Sequence, residues 1–371
     1  MNSNMIDIME VKTFVNGKTF NEIKESSQDQ NLRVRELSSQ KDLYLLIADS
    51  EYDTPLHMQA NGIILEKETN KIVCMCQNRF LPLSSPVEQF ETLSKLYTDY
   101  SLEYCEDGTI IRLYNYNGTW ITSTTKCIDA KFSYWKQRDL TFDSMFWNLF
   151  NSKMSLSELD PNYTYVFILL NQDNRIVVNH SSDSLIFVSK INNLDQSEIS
   201  VSDDSMQSLK RPEIIKQNGQ SLDSYFDETK RGLILKFKGD NKVILYKYDF
   251  KPYSRLKEVR GNVPLIRMRF LELLSDPKSI EMLEENYKEH TFLFQMAKHQ
   301  LNNLYHEIHQ LYFNSHIKHA ITVEESHKFY RTLKQLHGQY KTTGRPITLD
   351  EVTTKVNCLD ANVLRQFLNW V

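Results

Sequence analysis

The chain has 371 residues, of which 40% are hydrophobic and 25% charged, and its formal net charge is −4. This composition is typical of a globular protein of one or two domains and excludes a disordered or fibrous chain. No apolar run reaches the roughly 18 residues of a membrane span, and the first 30 residues hold no apolar leader segment, so we expect no membrane contact and a cytoplasmic location.

The cysteines predict reduced thiols. There are five of them, and no pair has the Cys-x-x-Cys spacing of a zinc or redox motif.

Charge is uneven along the chain. From residue 251 onward there are 17 Lys and Arg against 13 Asp and Glu, so the last third is relatively basic and weakly favours contact with a polyanion.

Residues 31–250 predict a β-rich region. Short β-branched or aromatic segments alternate with turn residues there: "LRVREL", "DLYLLIA", "NGIILEK", "KIVCMCQ", "GTIIRLYNY" and "TWITSTT". Asn117-Gly118 predicts a two-residue hairpin turn, because both positions tolerate positive φ. A second hairpin is expected around Gly239–Asn241. Apolar spacing in "DSMFWNLFNSKM" predicts a helix.

Helices are expected from about residue 263. Asp276-Pro277 is a helix start, and an apolar stripe from Leu293 to Leu311 marks a long helix. Further helices are predicted in "VEESHKFYRTLKQLHGQY" and "DANVLRQFLNWV". The fold class is therefore α+β. We predict an N-terminal extension (1–30), a β-rich domain (31–255) and a helical C-terminal domain (256–371).

Common catalytic motifs are missing from the sequence. It has no Gly-x-x-x-x-Gly-Lys or Gly-x-Gly-x-x-Gly phosphate loop and no Gly-x-Ser-x-Gly elbow. Two His-x-x-His pairs, at 306/309 and 316/319, share helix faces, but no Glu or Cys partner completes a metal site. We predict no metal site.

The interval 245–270 interleaves cations with aromatic residues. Lys and Arg neutralise phosphates, and aromatic rings stack on unpaired bases. The alternative is a strand-to-helix junction with a solvated charged face, and composition alone leaves both open. The cations that we expect to contact RNA are Lys251, Arg255, Lys257 and Arg260.

Taken in order, several segments resemble the phage-type ATP-dependent RNA ligases of the nucleotidyltransferase family, in particular the degenerate RNA ligase-like proteins of large DNA viruses. Cys105-Glu106-Asp107-Gly108 aligns with the family's Lys-x-Asp-Gly motif. The segments that carry the rest of the resemblance are "NGIILEKETNKIVCMCQNRF", "TYVFILLNQDNRIVV", "RGLILKF" and "VILYKYDFKPYSRLKEVRGN". The resemblance covers about residues 31–371. It implies an antiparallel-sheet core of the ATP-grasp-like ligase type with a helical C-terminal domain.

The resemblance also implies a chemistry that this chain lacks the residues to perform. In the family a Lys amine attacks the α-phosphate of ATP and forms a Lys–AMP phosphoramidate. Here Cys105 occupies the nucleophile position, Ile168 and Arg231 stand where the family has Glu, and Asn61 stands where it has Arg. Of the last Lys-x-Lys motif, Lys247 is kept. We therefore expect no catalysis.

The retained residues imply a binding pocket. The phosphate- or nucleotide-binding residues that we predict are Arg79, Asp107, Gly108, Thr109, Lys126, Arg175, Arg231 and Lys247. The expected ligand is an RNA end, a capped 5′ terminus or a nucleotide, with no cofactor. Two alternatives stay open. One is an active ligase or capping-type nucleotidyltransferase that uses ATP and Mg²⁺ with an unusual nucleophile. The other is a scaffold whose helical domain binds a protein partner. If the protein is viral, its location is the host cytoplasm.

Overall fold

The computed structural model describes residues 10–49, 54–83, 86–97, 99–195, 197–199, 206–216, 221–238 and 243–370. Within it the chain divides into two compact units, Met1–Ser254 and Arg255–Val371. The first unit holds three β-sheets with short helices, and the second is helical. The predicted α+β class with antiparallel sheets and a helical C-terminal region is confirmed. The predicted turn at Gly239–Asn241 lies outside the described residues.

The first sheet is antiparallel, with strand order β1-β2-β3-β4. Its strands are β1 (Leu32–Glu36), β2 (Leu43–Ala48), β3 (Asn61–Glu66) and β4 (Ile72–Cys74). Three helices belong to this region: α1 (Glu10–Val15), α2 (Phe20–Asp29) and α3 (Pro55–Gln59). Val11, Val15 and Ile23 from α1 and α2 are buried in one cluster with the sheet. Residues 10–29 thus contribute buried side chains to the core of the first sheet.

The second sheet has the order β11-β10-β9-β7-β8 and is antiparallel throughout. Its strands are β7 (Thr109–Tyr116), β8 (Thr119–Thr124), β9 (Tyr163–Leu170), β10 (Ser184–Asn192) and β11 (Glu198–Ile199). Asn117 and Gly118 both have positive φ and join β7 to β8, which confirms the predicted hairpin. Helix α5 (Phe142–Phe150) buries Phe146 and Phe150 on this sheet, which confirms the predicted helix.

The third sheet has the order β12-β6-β13-β14-β5, and only the β14–β5 pair is parallel. Its strands are β5 (Leu81–Pro82), β6 (Asp99–Cys105), β12 (Ile214–Ile215), β13 (Gly232–Lys238) and β14 (Val243–Asp249). Helix α4 (Pro86–Leu96) precedes β6 in the chain. The chain passes from the third sheet to the second directly between β6 and β7. That passage contains the Cys105–Gly108 segment.

The helical unit has its own core, in which Phe270, Leu301 and Leu336 are almost fully buried. Its helices are α6 (Lys251–Arg260, shared with the first unit), α7 (Ile266–Glu272), α8 (Pro277–Asn286), α9 (Thr291–Tyr312), α10 (Tyr330–Thr343), α11 (Leu349–Asn357) and α12 (Ala361–Phe367). Asp276 caps α8 as predicted. Helix formation begins at Lys251, earlier than the predicted residue 263.

Candidate functional site

The Cys105–Gly108 turn lies between two sheets. Cys105 ends β6, where it pairs with Gly232 across the antiparallel ladder, and Thr109 begins β7. The Asp107-Gly108 turn is therefore a connection between two sheets. Side chains from the residues just before β13, from β14, from the start of α6 and from the segment after β9 meet around it.

The Cys105 thiol is buried and protonated at neutral pH. The residue is 6% exposed, and its Sγ lies 3.8 Å from the Glu106 carbonyl oxygen. Burial raises the pKa of the Cys105 thiol to about 11, although Lys247 and Arg231 nearby act in the opposite direction. Because the thiolate is the nucleophilic form, this environment disfavours covalent chemistry at the position.

The Asp107 carboxylate accepts three hydrogen bonds from within the protein. Its Oδ2 accepts from the backbone N–H groups of Val177 and Val178, at 2.8 and 2.9 Å, and its Oδ1 accepts from the Tyr253 hydroxyl at 2.6 Å. The His180 Nε2 lies 2.8 Å from the Asp107 carbonyl oxygen and so must donate to it. Asp107 is 3% exposed. Asp107 thus connects two chain segments, residues 177–180 and the start of α6, to one turn.

Packing explains why Gly108 follows Asp107. A Cβ at this position would lie 2.6 Å from the side chains of Ile168 and Leu170 and 2.7 Å from the Leu169 carbonyl oxygen. No larger residue fits without moving β9. Ile168, which stands where the resemblance implies a Glu, is thus a wall of this turn.

Arg231 is held by an ion pair. Its Nε and Nη2 donate to the two carboxylate oxygens of Asp249, at 2.7 and 2.8 Å, and its guanidinium lies 5.1 Å from the centre of the Tyr253 ring. Burial alone would lower the pKa of Arg231, but its hydrogen bonds to Asp249 and the nearby acidic groups together more than offset burial, so the pKa is raised. The cation is permanent, and Asp249 balances its charge.

Two more cations lie near the turn. Lys230 pairs with Glu106, which is itself nearly buried. Lys247, on β14, lies 5.7 Å from the centre of the Phe80 ring. Among the predicted binding residues, Arg231 and Lys247 are therefore the two cations that the structure brings beside Cys105.

Strand register brings two further predicted residues, Lys126 and Arg175, to the end of the second sheet at which the Cys105–Gly108 turn enters β7. Thr109 pairs with Leu169, and Ile111 pairs with Thr124, so the chain leaves this end at both Lys126 and Asn171. Arg175 follows Asn171. It is largely buried, and its Nε donates to the Val177 carbonyl oxygen at 3.0 Å.

Arg79 and Lys126 make contacts elsewhere. The Arg79 Nη1 donates to the Asp49 carbonyl oxygen at 2.8 Å. Lys126 is exposed, and its carbonyl oxygen accepts from Arg35 at 3.0 Å. Asn61, at the position of the family's Arg, donates to the Gln77 carbonyl oxygen.

The predicted RNA-binding residues lie on α6. Lys251, Arg255 and Lys257 are exposed, and Lys251 pairs with Asp223 at 3.1 Å. Arg260 differs. It is 2% exposed, and its guanidinium donates to the carbonyl oxygens of Val263 and Pro264 at 2.6 and 3.2 Å. Its contacts are those of a structural residue that closes the turn after α6.

Sequence reasoning missed three residues that organise the site: Tyr253, Asp249 and His180. The first two lie in the interval noted for its cations and aromatic rings, but a pattern of residue types does not show which ones point inward. His180 lies outside the cluster of eight histidines between residues 290 and 337.

Within the described ranges, no three His, Cys, Asp or Glu side chains form a group able to hold a metal ion. No helix in the same ranges is long and apolar enough to cross a bilayer.

Comparisons with known proteins give relatives at low identity. No protein-family model matches the chain. The Immediate-early protein ICP-46 homolog of Invertebrate iridescent virus 3 is 29% identical over 269 residues, which is 66% of this chain and 58% of that protein. Its counterpart in Invertebrate iridescent virus 6 is 23% identical over 338 residues, 81% of this chain and 72% of that protein. The chain therefore spans less than two thirds of the first relative's length.

Three solved structures that are similar to this chain are described as nucleic-acid ligases. A putative ATP-dependent DNA ligase from Aquifex aeolicus has a TM-score of 0.44 and 13% identity, covering 87% of this chain and 80% of its own. An archaeal ATP-dependent RNA ligase has a TM-score of 0.44 and 13% identity, covering 79% and 78%. A lysine-to-alanine variant of the Naegleria gruberi RNA ligase, solved with ATP and manganese, has a TM-score of 0.37 and 11% identity, covering 60% and 76%.

These names contradict the prediction that the protein has no cofactor. The similar structures are described as ATP-dependent ligases, and one of them was solved with ATP and manganese. The prediction was inferred from the loss of single motif residues. The prediction of no cofactor was therefore wrong.

Proposed function

We propose that this chain is a ligase-like protein that binds a nucleotide, or the nucleotide at an RNA end, without forming a covalent nucleotide adduct. One observation carries the proposal. The residue at the nucleophile position is a buried thiol whose pKa is raised to about 11, and it lies beside the cations Arg231 and Lys247. Such a position offers neither an amine nor a thiolate for attack, and Lys247 supplies positive charge that favours a phosphate, because the charge of Arg231 is balanced by Asp249.

The absence of covalent transfer rests on the state of the turn. Asp107 makes hydrogen bonds to Val177, Val178 and Tyr253. Three of the roughly four lone-pair positions of this carboxylate are thereby occupied, which leaves little acceptor capacity for a metal or a ribose unless the segment moves. This supports a turn kept for its geometry while its transfer chemistry is lost.

Binding rests on the cations. Lys247 provides positive charge beside the turn, and α6 presents the exposed side chains of Lys251, Arg255 and Lys257. We assign the first to phosphate contact and the three on α6 to the RNA backbone. A nucleotide with its divalent counter-ion is the first ligand to test, because a similar ligase was solved with ATP and manganese.

An adduct assay tests the first half of the proposal. The protein is incubated with labelled ATP or GTP and Mg²⁺ or Mn²⁺, then denatured. We expect no label on the wild-type chain, and the Cys105→Lys variant provides a matched chain with an amine at the position. A wild-type adduct that survives denaturation would overturn the proposal in favour of an active nucleotidyltransferase.

Equilibrium binding tests the second half. Calorimetry with ATP should show reversible binding that Lys247→Ala weakens, whereas Lys278→Ala, an exposed change in the helical unit, should leave it unchanged. Equal affinity for both variants, or no binding by the wild type, would favour the scaffold alternative.

Salt dependence tests the RNA contacts of α6. The affinity for labelled RNA should fall with salt, with a slope of roughly −0.7 per neutralised phosphate on a single strand. The double variant Lys251→Ala, Arg255→Ala should lower that slope, and Lys278→Ala, Lys288→Ala provides a control of equal charge. Salt-insensitive binding would contradict the assignment.

A further inference from the structure

The segment 126–138, "KCIDAKFSYWKQR", connects β8 to α5. Among its residues, only Lys126 was considered above as a site residue. We call this segment the aromatic loop. It carries four cations and a single acid, Asp129, and it holds two exposed aromatic side chains. Phe132 is 56% exposed and Tyr134 is 43% exposed. A protein core does not account for either ring.

The backbone of the aromatic loop is ordered by its own hydrogen bonds. The buried Asp129 carboxylate accepts from the Lys131 N–H at 3.0 Å, and its carbonyl oxygen accepts from the Phe132 N–H at 3.1 Å. The Tyr114 hydroxyl donates to the Ile128 carbonyl oxygen at 3.1 Å. The Phe142 N–H donates to the Ser133 carbonyl oxygen at 2.9 Å. The exposed rings therefore stand on a preformed support.

Side chains on both sides of the exposed pair are fixed in the core. Ile128 and Ala130 are buried before it, and Trp135 packs against the core beneath α5 after it. Exposing two large aromatic rings to water is unfavourable, and in this anchored loop no packing within the protein offsets it. The arrangement favours a role in binding.

The charge around the rings identifies the chemistry of the ligand. Lys126, Lys131 and Arg138 are exposed, while the acid of the loop, Asp129, is buried. Exposed rings set among cations match a single-stranded nucleic acid, whose bases stack and whose phosphates are neutralised. A protein surface would match the rings but not the excess of positive charge.

We propose that the aromatic loop binds single-stranded nucleic acid by stacking bases on Phe132 and Tyr134 while Lys131 and Arg138 contact the backbone. The loop leaves the same end of the second sheet as the Asp107 turn, because Ile111 pairs with Thr124. A strand on the loop would thus lie towards the candidate nucleotide site. In this respect the inference deepens and rests on the proposed function.

Fluorescence anisotropy tests the proposal, using a labelled single-stranded RNA of about 12 nucleotides and the same sequence as a duplex. For the double variant Phe132→Ala, Tyr134→Ala we expect about a tenfold or greater loss of affinity for the single strand, because stacking on each ring contributes. The duplex, whose bases are already stacked, should be much less affected. Phe292→Ala is the matched control, since that ring is 72% exposed on α9 of the helical unit.

A charge variant separates stacking from backbone contact. Lys131→Gln, Arg138→Gln should weaken binding and reduce its salt dependence, whereas the aromatic variant should weaken binding with the salt dependence unchanged. Unchanged affinity for the single strand in the aromatic variant would overturn the proposal. So would an equal loss for the duplex, or a wild-type chain that binds no single strand.

The outcomes also separate this proposal from the proposed function. ATP binding by calorimetry should be the same in the aromatic variant and the wild type. Loop-dependent RNA binding without any ATP affinity would support the loop and contradict the nucleotide site. RNA binding that α6 variants abolish and loop variants leave intact would overturn the loop alone.

Discussion

Two loops leave the same end of the second sheet, and they use their side chains in opposite ways. In the Asp107 turn the polar groups are satisfied internally, and Cys105 is buried behind them. The aromatic loop is held by backbone and Asp129 contacts, and it points Phe132 and Tyr134 into solvent. The turn resembles a catalytic motif, but its carboxylate holds neighbouring segments of the chain together. The aromatic loop matches no motif but is built like a contact surface.

The largest effect should come from removing the carboxylate of the turn. Asp107→Ala leaves two backbone N–H groups and the Tyr253 hydroxyl without their buried acceptor, so we expect the free energy of unfolding to fall by about 4 kcal/mol. Urea denaturation measures it. Asp139→Ala, which removes an exposed acid after the aromatic loop, should change stability by less than about 0.5 kcal/mol. Similar values for both would break the comparison.

Thiol labelling gives the next largest effect. Because burial raises the pKa of Cys105 from 9.0 to about 11, its thiolate fraction at neutral pH is about 100-fold lower. We expect iodoacetamide to label the exposed Cys358 first and Cys105 far more slowly, with digestion and mass spectrometry as the readout. Labelling of Cys105 should accelerate about tenfold per pH unit up to its pKa. Comparable rates for the two thiols at pH 7 would show an accessible site.

A single hydroxyl gives a smaller effect. Tyr253→Phe removes the 2.6 Å hydrogen bond to Asp107 and keeps the ring beside Arg231. We expect a loss of about 1.5–3 kcal/mol in denaturation, because the acceptor is charged and buried. Tyr330→Phe removes an exposed hydrogen bond to Glu325 and should cost much less. If the two variants were equal, α6 would not be fastened to the turn as the structure shows.

The smallest change in stability should come from the aromatic loop. Phe132→Ala with Tyr134→Ala removes exposed rings, so the free energy of unfolding should change by no more than about 0.5 kcal/mol per residue. The same chain should lose affinity for single-stranded RNA. A large drop in stability would mean that the rings pack in the protein, and the contrast between the two loops would disappear.

Local patterns predicted much of the fold. The Asn117-Gly118 hairpin follows from backbone preference, and the start of α8 at Asp276-Pro277 follows from capping. Both depend on residues adjacent in sequence. The beginning of α6 at Lys251 was missed because its alternating cations and aromatic residues do not indicate which side is buried.

The site was harder to predict, because its contacts join distant segments. Asp107 is 146 residues from Tyr253 and 70 from Val177 in sequence, and only the sheet order brings them together. The sequence placed Arg231 and Lys247 near Cys105 through the resemblance. It offered no means of seeing that Asp249 pairs with Arg231, or that Arg260 turns inward.

The packing around Gly108 affects how an Asp-Gly motif should be interpreted. The hydrogen of Gly108 is wedged between Ile168, Leu170 and a strand carbonyl, so the sheet itself forbids any other residue there. Packing alone therefore requires a glycine here, independently of any reaction beside it. An Asp-Gly pair at this junction does not by itself indicate catalysis, and the residue at the neighbouring position, here Cys105, decides whether a nucleophile is present.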